Sequence, residues 1–577
     1  MKKAFITGIS AQDSMRINSY FRFIVAVFLI GPVISYMITS RFHIQIDANY
    51  IFAVALGILS VLTMVVMRQS YSMVKDTRYF QPDELLGLAL SVLIVVSFMV
   101  FFWDRQINHD TAWFLISTSK WLHGARLYVE LPDVNPPFIY YCTAPAIALA
   151  NLLGISIANG QYLTLGMLVF ISLSWSWDLM GEAFGLQRKK RAMFLFGLGI
   201  AIIIPALNAV AQRDHLLVIF LIPWFLSQIR RPTSVSQEIS LAVFAMVGIG
   251  LKPYFILFPM FVTLWQIITL RSLRPIISIS NLSMLVVGLL YIGFVVGVYP
   301  EYMIDIVPTS REFWGAYHTA GPFLEISILL TTISFALVAL MMARHPLPDK
   351  MLGGFVAVTL AGLGSYLWQG AYWPYHTIPF VSFGLLGCIW LVMHLPVKSP
   401  AFFSAMITII IIIELFVLRG PYQNPEVKII TQIAQKNGPI DSVMGLSTDV
   451  GVGPIVALEL KANWTGSWPA NGLVPGVVNR LAKIDCVADP QKCAQLEEIM
   501  ERNRLTTLND IAKHPPELLI VDKQSPFFEM KGFSWYEFLN RPSRNKSVIF
   551  KDILMGYHLV ESTPRFDFWK RGKAIQL

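Results

Sequence analysis

The sequence predicts an all-α polytopic membrane protein with about thirteen transmembrane helices, followed by a small α/β extramembrane domain. Three observations predict this fold class. Apolar runs of about 18 or more residues, the length that crosses a bilayer, recur as far as about residue 420. Of the 577 residues, 55% are hydrophobic and only 14% are charged, which is less charge than a soluble domain carries. Beyond residue 420 the runs stop, and charged residues, Asn, Pro and Gly become frequent.

These runs place a membrane domain at 1–420 and a second domain at 421–577. No small-residue cleavage site follows the basic N-terminus and its first apolar run, so this run is predicted to be a retained helix and not a removed signal. The apolar segment 138–153 is short and contains Pro145, and it is predicted to dip into the membrane or lie on its surface. The predicted spans are 19–40, 50–67, 84–103, 160–180, 192–209, 214–229, 237–250, 253–270, 276–299, 323–343, 351–367, 376–395 and 401–418.

The charges of the loops decide whether 138–153 is predicted to cross the membrane, because lysines and arginines collect on the cytoplasmic side. If the segment does not cross, the basic loops share one side with the N-terminus; if it crosses, those at 230–231 and 271–274 move outside. The N-terminus is therefore predicted to be cytoplasmic and the C-terminal domain periplasmic, in a bacterial inner (plasma) membrane. The basic loop residues are Lys189, Lys190, Arg191, Arg230, Arg231, Arg271, Arg274 and Arg344.

This topology gathers the polar stretches on the outer face. They are the external loop 104–137, the tight turn 211–214, the segments 250–254 and 368–376, and the long loop 300–322. The net charge of +9 needs no nucleic-acid partner to explain it, since cytoplasmic loops account for it and no nucleic-acid-binding motif appears. The outer face is therefore predicted to carry an active site covered by loops.

Two candidate regions lie in the external loop. Asp110, in NHDTAWF, closely follows an apolar span, where a carboxylate can accept a proton; because a helix is predicted to start there, an N-cap is the alternative. Glu130, Asp133 and Asn135 precede two prolines in YVELPDVNPPF, and the prolines fix an extended backbone. This run is either a stiff turn or a device that holds polar side chains at a set depth.

Charged residues also lie between later spans. Arg213, Asp214 and His215 form a triplet at a membrane boundary, where ionisable groups are often functional, although an ordinary cluster of loop charges is the alternative. Lys252 lies on the outer side, where the cytoplasmic bias does not explain it. It is predicted either to extend to the interface or to neutralise an anionic headgroup such as a phosphate.

Aromatic residues surround His376 in WQGAYWPYHTIPF, at the entrance of a span. Trp and Tyr commonly form a belt at the membrane interface, and the same rings can stack on sugars. A further wall or lid of the site is predicted from the stretch SREFWGAYHTAG, with Arg311, Glu312, Trp314, Tyr317 and His318.

The C-terminal region predicts strands at 442–447, 517–522 and 557–562 and an amphipathic helix at 493–505. Cys486 and Cys493 have a spacing that suits a short disulfide loop outside the cytoplasm; a zinc site is the alternative, but it lacks two further ligands nearby. No HExxH, paired CxxC, P-loop, GxGxxG or GxSxG motif appears. No cofactor is therefore required, and a divalent metal has no motif to support it.

Taken in order, these motifs resemble the GT-C membrane glycosyltransferases, in particular the superfamily of protein O-mannosyltransferases and lipid A aminoarabinose transferases. The resemblance covers about 100–380. It comprises an acid in the first large external loop, a G-x-LY-x-[DE]…[NH]-PP-x-x-YY run, an R-x-D-x-LL motif, a Lys after a Gly-rich helix and an H-x-x-P span entrance. It implies a GT-C-like fold and a donor sugar carried on a polyprenyl phosphate, with no nucleotide sugar.

The resemblance also implies roles for individual residues. Asp110 matches the loop carboxylate that acts as catalytic base or positions the acceptor. Glu130 matches an acid before the Pro-Pro pair, and Asn135 stands where relatives carry His or Lys near the carrier phosphate. Asp214 matches an acid near the donor sugar, while Lys252 and His376 match positions near the phosphate, with Arg213 as a helper. Relatives often have Asp-Glu where this chain has Asp110-Thr111, so a second adjacent acid is missing here.

The implied reaction is an inverting displacement that moves the sugar to a hydroxyl of a glycan, lipid or protein acceptor, within membrane lipid. The first alternative is a transporter or flippase of lipid-linked envelope precursors, which should show internal symmetry and ionisable groups near the bilayer midplane. The second is a non-catalytic protein of envelope assembly, whose C-terminal domain binds another protein.

Overall fold

The computed structural model of the protein describes residues 82–184, 188–229, 234–314, 325–343, 350–524, 533–541 and 549–572. The predicted spans 19–40 and 50–67 lie outside these ranges, as do Arg230, Arg231, Tyr317, His318 and Arg344.

Up to residue 419 the described chain is built from helices. Each predicted span that falls on described residues coincides with a helix to within a few residues, because long apolar runs satisfy their backbone hydrogen bonds internally as helices. The helices are α1 Pro82–Phe102, α2 His109–Leu122, α3 Phe138–Leu153, α4 Ile157–Phe184, α5 Arg188–Ile203, α6 Arg213–Ile229, α7 Val235–Ile249, α8 Leu257–Leu270, α9 Ile279–Val298, α10 Val307–Trp314, α11 Ile326–Ala343, α12 Lys350–Gln369, α13 Ile378–His394 and α14 Pro400–Arg419.

By length and composition, seven helices in the described part of the chain could cross a membrane. Three more apolar helices in this region, at Phe138–Leu153, Val235–Ile249 and Ser327–Met342, are shorter. The count of about thirteen spans is therefore not confirmed and stays a prediction. The seven candidates are Glu84–Phe102, Ile157–Gly181, Pro253–Leu270, Ile279–Val298, Met351–Gln369, Pro374–His394 and Pro400–Arg419.

The helical bundle has a buried centre, and the helices at its periphery expose apolar side chains. From Asp214 to Ser227, α6 is buried on all sides, and α13 is buried over 83% of its span. By contrast, α9 is buried over only 11% and α8 over 22%, although both are strongly apolar. A helix that exposes apolar side chains all round needs lipid against it, so α8 and α9 are suited to the bilayer.

Short caps fix where several elements begin. Ser234, Ser278 and Ser399 accept a backbone N–H in the first turns of α7, α9 and α14. Each satisfies a donor that the helix itself leaves unpaired. Between helices, Pro253–Ile256 and Pro374–Thr377 form 3₁₀ turns, each with proline at its first position. These two turns lead into α8 and α13 and carry candidate site residues.

The C-terminal part folds as an α/β unit around one sheet. Its strands are β1 Ser442–Leu446, β2 Asn463–Trp464, β3 Leu518–Asp522, β4 Tyr557–Ser562 and β5 Phe566–Arg571, in the order β2-β1-β3-β5-β4. β1 pairs parallel with β2 and β3, while β5 pairs antiparallel with β3 and β4. The helices of this part are α15 Pro425–Lys436, α16 Pro454–Leu460, α17 Leu473–Leu481, α18 Pro490–Lys513, α19 Trp535–Leu539 and α20 Phe550–Leu554.

The strands predicted at 442–447, 517–522 and 557–562 are confirmed, as is the helix over 493–505. The Cys486–Cys493 disulfide is also present. Two strands were not foreseen: β2 has only two residues, and β5 carries the mixed sequence FDFWKR.

This α/β unit lies against the external loop. Lys120 Nζ, near the end of α2, donates to the backbone oxygen of Gly466 at 2.9 Å. The backbone N–H of Asn424 donates to Gln106 Oε1 at 2.6 Å. The loop that was predicted to carry the active site is thus held between the helical bundle and the C-terminal sheet.

Candidate functional site

A buried ion pair forms the inner part of the site. Asp214 lies in the first turn of α6, and Lys252 precedes the 3₁₀ turn before α8. Lys252 Nζ lies 2.6 Å from Asp214 Oδ2 and donates to Gln369 Oε1 at 2.7 Å, at the end of α12. Both charged side chains are almost fully buried. Lys252 therefore does not extend to the interface, and that alternative is wrong.

Arg213 brings a second cation beside this pair. Its guanidinium lies 5.8 Å from the ring of Phe114 on α2 and interacts with the Tyr375 hydroxyl. Within the described residues Arg213 has no ion pair, and its Nε is buried without a hydrogen-bond partner. Two cations, Lys252 and Arg213, thus lie close together, and Arg213 has no carboxylate of its own within salt-bridge distance among the described residues. An arginine placed in this way is suited to an anionic ligand.

His376 lies in the 3₁₀ turn before α13 and is buried. Its Nδ1 has no hydrogen-bond partner. The neighbouring Tyr375 places its ring centroid 5.1 Å from Lys252 Nζ. The aromatic stretch 368–376 therefore contributes to the interior of the site as well as to the surface, where Trp368 is exposed.

Asp110 joins the same cluster through Gln212. The amide Nε2 of Gln212 donates to Asp110 Oδ2 at 2.8 Å and to Asn108 Oδ1 at 2.6 Å. Asn108, and not Asp110, caps α2, since its side chain accepts the backbone N–H of Asp110 at 3.0 Å. The carboxylate of Asp110 is left partly exposed, at 24%.

The turn before α6 sets this arrangement. Ala211 has φ +68°, a left-handed conformation that a non-glycine residue seldom adopts. Its backbone N–H donates to His215 Nδ1 at 3.2 Å. The turn brings Gln212 towards α2 and lets Arg213 and Asp214 start the next helix. Three adjacent residues thereby connect the Asp110 carboxylate with the Lys252–Asp214 pair.

Asp133 and Asn135 form a second buried group in the external loop. Asp133 Oδ2 accepts from Trp113 Nε1 and the Tyr140 hydroxyl, both at 2.5 Å. Its Oδ1 accepts from the backbone N–H of Asn135 at 3.0 Å and from Asn135 Nδ2 at 2.6 Å. Burial raises the pKa of Asp133, although these donors act in the opposite direction.

Glu130 is not brought into the cluster. Its carboxylate accepts from the backbone N–H of Arg126 at 2.7 Å, and the side chain is 56% exposed. The donor-binding role of Glu130 stays a prediction. Asn135 contacts Asp133 and no cation of the cluster, and its Oδ1 is buried without a partner.

Several site residues were not predicted from the sequence. Gln212 directly precedes the charged triplet, so its position in AQRD was the available signal. Gln369 and Tyr375 lie inside the aromatic stretch. Asp133 was noted only within a run predicted to be either a stiff turn or a device that holds polar side chains at a set depth. An amide or a phenol carries no charge that marks it in the sequence. The contacts of Gln212 with Asp110 and of Gln369 with Lys252 join residues more than 100 positions apart.

Five buried polar atoms in or beside this site have no hydrogen-bond partner within the described residues, and other such atoms are spread along the described chain. Such atoms are rare in folded proteins and need an explanation, of which a polar ligand is one. The described residues contain no group of three or more His, Cys, Asp or Glu side chains arranged for a metal ion. The five atoms of the site are Gln212 Oε1, Arg213 Nε, Asp214 Oδ1, His376 Nδ1 and Asn135 Oδ1.

A cavity of about 120 Å³ opens on the other side of Asp133. It lies between the external loop, the segment 305–309 and the C-terminal unit, and Trp468 and Arg502 line it. Sites for drug-sized ligands have volumes of roughly 300–1,000 Å³. This cavity has room for one small group and not for a whole oligosaccharide.

Neither a protein-family model nor a curated protein sequence matches the chain. Several solved structures are similar to it, among them the following two. One is ArnT from Cupriavidus metallidurans bound to undecaprenyl phosphate, at 13% identity and a TM-score of 0.49, covering 85% of this chain and 98% of that chain. The other is the Archaeoglobus fulgidus oligosaccharyltransferase tethered with an acceptor peptide, at 10% identity and a TM-score of 0.39, covering 76% and 69%. Both are GT-C glycosyltransferases, the class that the sequence motifs resemble.

Proposed function

We propose that this protein is a membrane glycosyltransferase of the GT-C type. It moves a sugar from a polyprenyl-phosphate carrier to a hydroxyl group of a glycan, lipid or protein acceptor at the outer face of the membrane. The observation that carries the proposal is the buried Lys252–Asp214 pair beside Arg213, joined through Gln212 to the partly exposed carboxylate of Asp110. Cations for a phosphate and a base for a hydroxyl thus meet in one site.

The cationic end suits the leaving group. When the bond between the sugar and the carrier breaks, negative charge develops on the phosphate oxygen. Lys252 is buried and Arg213 is partly buried, and away from bulk water a positive charge stabilises such an oxygen more than it would in water. His376, with an unpartnered Nδ1 beside them, supplies a further polar contact.

An apolar stripe beside Lys252 suits the lipid tail of the carrier. Ile256, Met260, Leu264 and Ile268 follow at intervals of four residues, and all are exposed. Side chains at this spacing lie on one face of a helix. The stripe begins four residues after Lys252, so a carrier with its phosphate at Lys252 can lie along α8 within the bilayer.

Asp110 suits the acceptor end. In the proposed step the acceptor oxygen attacks the anomeric carbon, and its proton passes to Asp110. The bond from that carbon to the phosphate oxygen breaks, and the electron pair leaves on the carrier phosphate. A single displacement of this kind inverts the anomeric configuration. Gln212 holds Oδ2 of the base at 2.8 Å, which fixes its direction.

Sidedness completes the proposal. The site would face the periplasm, with residues 1–420 forming the catalytic membrane domain and residues 421–577 the extracytoplasmic domain. The small cavity beside Asp133 is the proposed contact for one group of the acceptor, since it joins the external loop to the C-terminal unit.

The test uses the full chain in lipid nanodiscs with a panel of undecaprenyl-phosphate-linked monosaccharides, and it follows release of the free carrier phosphate. Wild type is compared with Asp110→Asn and with Asp104→Asn, the same change at an exposed acid of the same loop. Release by wild type and Asp104→Asn, with a loss of at least 100-fold in Asp110→Asn, supports the proposal. Equal release by all three removes Asp110 from the mechanism. No release by wild type overturns the proposal, and binding of undecaprenyl phosphate without release favours the transporter or flippase alternative.

A further inference from the structure

We infer that the C-terminal region takes part in catalysis through Tyr422, which fixes the ring of His109 against the carboxylate of Asp110. His109 and Tyr422 are positioning residues in this inference, and Asp110 remains the base. The inference rests on the proposed function. The segment concerned directly follows α14.

The contact itself is direct. The Tyr422 hydroxyl lies 3.0 Å from His109 Nδ1, across 313 positions of sequence. The two rings meet edge to face, with centroids 5.5 Å apart. On the other side of the imidazole, His109 Nε2 lies 3.6 Å from Asp110 Oδ1. One imidazole therefore lies between a phenol from the C-terminal region and the candidate base.

Both partners of this contact are anchored. Gly420 ends α14 with φ +66°, which turns the chain towards α2. Asn424 caps α15 with its side chain, and its backbone N–H donates to Gln106 Oε1 at 2.6 Å. Gln106 precedes His109 by three residues, so Tyr422 and His109 lie on two segments that are already bonded to each other.

An arginine ties this segment to the sheet. Arg565, just before β5, pairs with Glu426 in the first turn of α15. The same guanidinium lies 3.1 Å from Asp449 Oδ2 and 3.1 Å from Asp522 Oδ2 at the end of β3. Tyr422 is therefore placed by the folded C-terminal unit and not by the membrane helices alone.

Each carboxylate oxygen of Asp110 has a neighbouring side chain. Gln212 donates to Oδ2, and His109 faces Oδ1. If the Tyr422 hydroxyl donates to Nδ1, the imidazole keeps its proton on Nε2, which points at the carboxylate. A separation of 3.6 Å is longer than a hydrogen bond, and catalytic contacts of this kind commonly shorten when substrate fills a site. Loss of one hydrogen bond of this kind changes a rate roughly 2- to 12-fold.

The experiment compares Tyr422→Phe with wild type and with Tyr557→Phe. Tyr557 is the matched control, because its hydroxyl donates to Pro516 O at 2.8 Å within the same C-terminal unit, away from His109. With any undecaprenyl-phosphate sugar that wild type turns over, Tyr422→Phe should lower kcat roughly 2- to 12-fold and leave KM for the donor within about twofold. Tyr557→Phe should change neither. His109→Gln should lower kcat similarly, and adding Tyr422→Phe to it should have little further effect.

A second readout needs no turnover. His109 is 33% exposed, so diethyl pyrocarbonate can reach it, and the rate of its modification can be followed by peptide mass spectrometry. Loss of the Tyr422 hydroxyl should speed this modification several-fold, whereas Tyr557→Phe should not. Equal His109 reactivity in all three proteins, or an unchanged kcat in Tyr422→Phe, overturns the inference. If wild type turns over no donor, the proposed function fails, and the reactivity of His109 alone still decides whether Tyr422 holds the ring.

Discussion

Lys252 Nζ lies 2.6 Å from Asp214 Oδ2, with the two residues 38 positions apart and both side chains almost completely buried. Moving two charges out of water is expensive, and a buried ion pair often gains little or no stability over apolar residues of the same size. Such a pair is better explained by a chemical task than by folding. Its position, at the start of α6 and beside Arg213, which has no ion pair within the described residues, is consistent with a task that involves an anion.

Breaking this pair on one side should be strongly destabilising. Lys252→Met leaves Asp214 buried without its partner, and we expect the free energy of unfolding to fall by about 3–5 kcal/mol. The double variant Lys252→Met/Asp214→Leu should recover part of this loss, since neither charge remains. Equilibrium unfolding in mixed micelles measures both effects.

The matched control for this cycle is Arg419–Glu325, whose atoms lie 2.9 Å apart with both side chains about one-third exposed. Water and salt screen such a pair, so Arg419→Met should change the free energy of unfolding by less than about 1 kcal/mol. Comparable losses at the buried and exposed pairs would contradict the burial argument.

Gln212→Leu should slow the proposed reaction without changing donor binding. The substitution removes the N–H group that holds Asp110 Oδ2, and a hydrogen bond to a charged group contributes about 1.5–3 kcal/mol. We therefore expect kcat to fall roughly 10- to 100-fold and KM for the donor to stay constant. Initial rates of carrier-phosphate release measure both. Gln266→Leu is the control, because its amide bonds Gln228 O at 3.0 Å, in the connection between α8 and α6.

Lys120 should make stability depend on pH in the alkaline range. Burial lowers the pKa of this lysine from its ordinary 10.5 to about 8, while Asp510 acts in the opposite direction. Between pH 8 and about 10.5 the unfolded chain holds a proton that the folded chain has lost, so the free energy of unfolding gains a term that rises with pH. The slope of this term is at most about 1.4 kcal/mol per pH unit.

Lys120→Met removes that term. The free energy of unfolding of wild type minus that of the variant should therefore rise as pH is raised from 8 to 10.5. It should stay constant from pH 6 to 7. Parallel unfolding curves of the two proteins at each pH provide the measurement. A constant difference across the whole range would show that Lys120 titrates normally in the folded protein.

Reducing the Cys486–Cys493 disulfide should destabilise the C-terminal unit. The bridge closes a loop across a sequence separation of 7, for which the chain-entropy relation gives about 2.5 kcal/mol at 25 °C. Cys486→Ser/Cys493→Ser should lower the midpoint of C-terminal unfolding by a corresponding amount, as followed by pulsed hydrogen exchange of peptides from β3. Reductant should then have no further effect on the double variant, and a midpoint that still responds to it would place the reducible group elsewhere.

Periodicity and composition predicted much of the fold, because each depends on local sequence. Every predicted span on described residues is a helix, and the strands over 442–447 and 517–522 are short apolar runs bounded by turn residues. β5 was missed, since FDFWKR mixes charges with aromatics and is a strand because it pairs with the buried β3. Tertiary pairing overrode local preference there.

The site was predicted in part. Charged and polar residues stand out in an apolar chain, so Asp110, Arg213, Asp214, Lys252 and His376 were predicted as site residues. The structure brings them into one region, and their roles stay predictions. Glu130 had the same signal but lies at the surface, because spacing along a turn does not fix the direction of a side chain. Gln212, Gln369 and Tyr422 are uncharged, and only the folded chain shows which charged groups they contact.

The segment 420–426 also affects how this protein can be recombined. Sequence composition changes at residue 420, which suggests a natural junction for exchanging the C-terminal domain with that of another protein. A chimera joined there would take Tyr422 and Asn424 from the foreign parent and lose their fit to His109 and Gln106. A junction after Lys436 keeps both contacts within one parent, but the foreign unit must then fit the buried face of α15, with Val427, Ile430 and Ala434, as well as Glu426, which pairs with Arg565. Neither junction therefore leaves every contact of this segment within one parent.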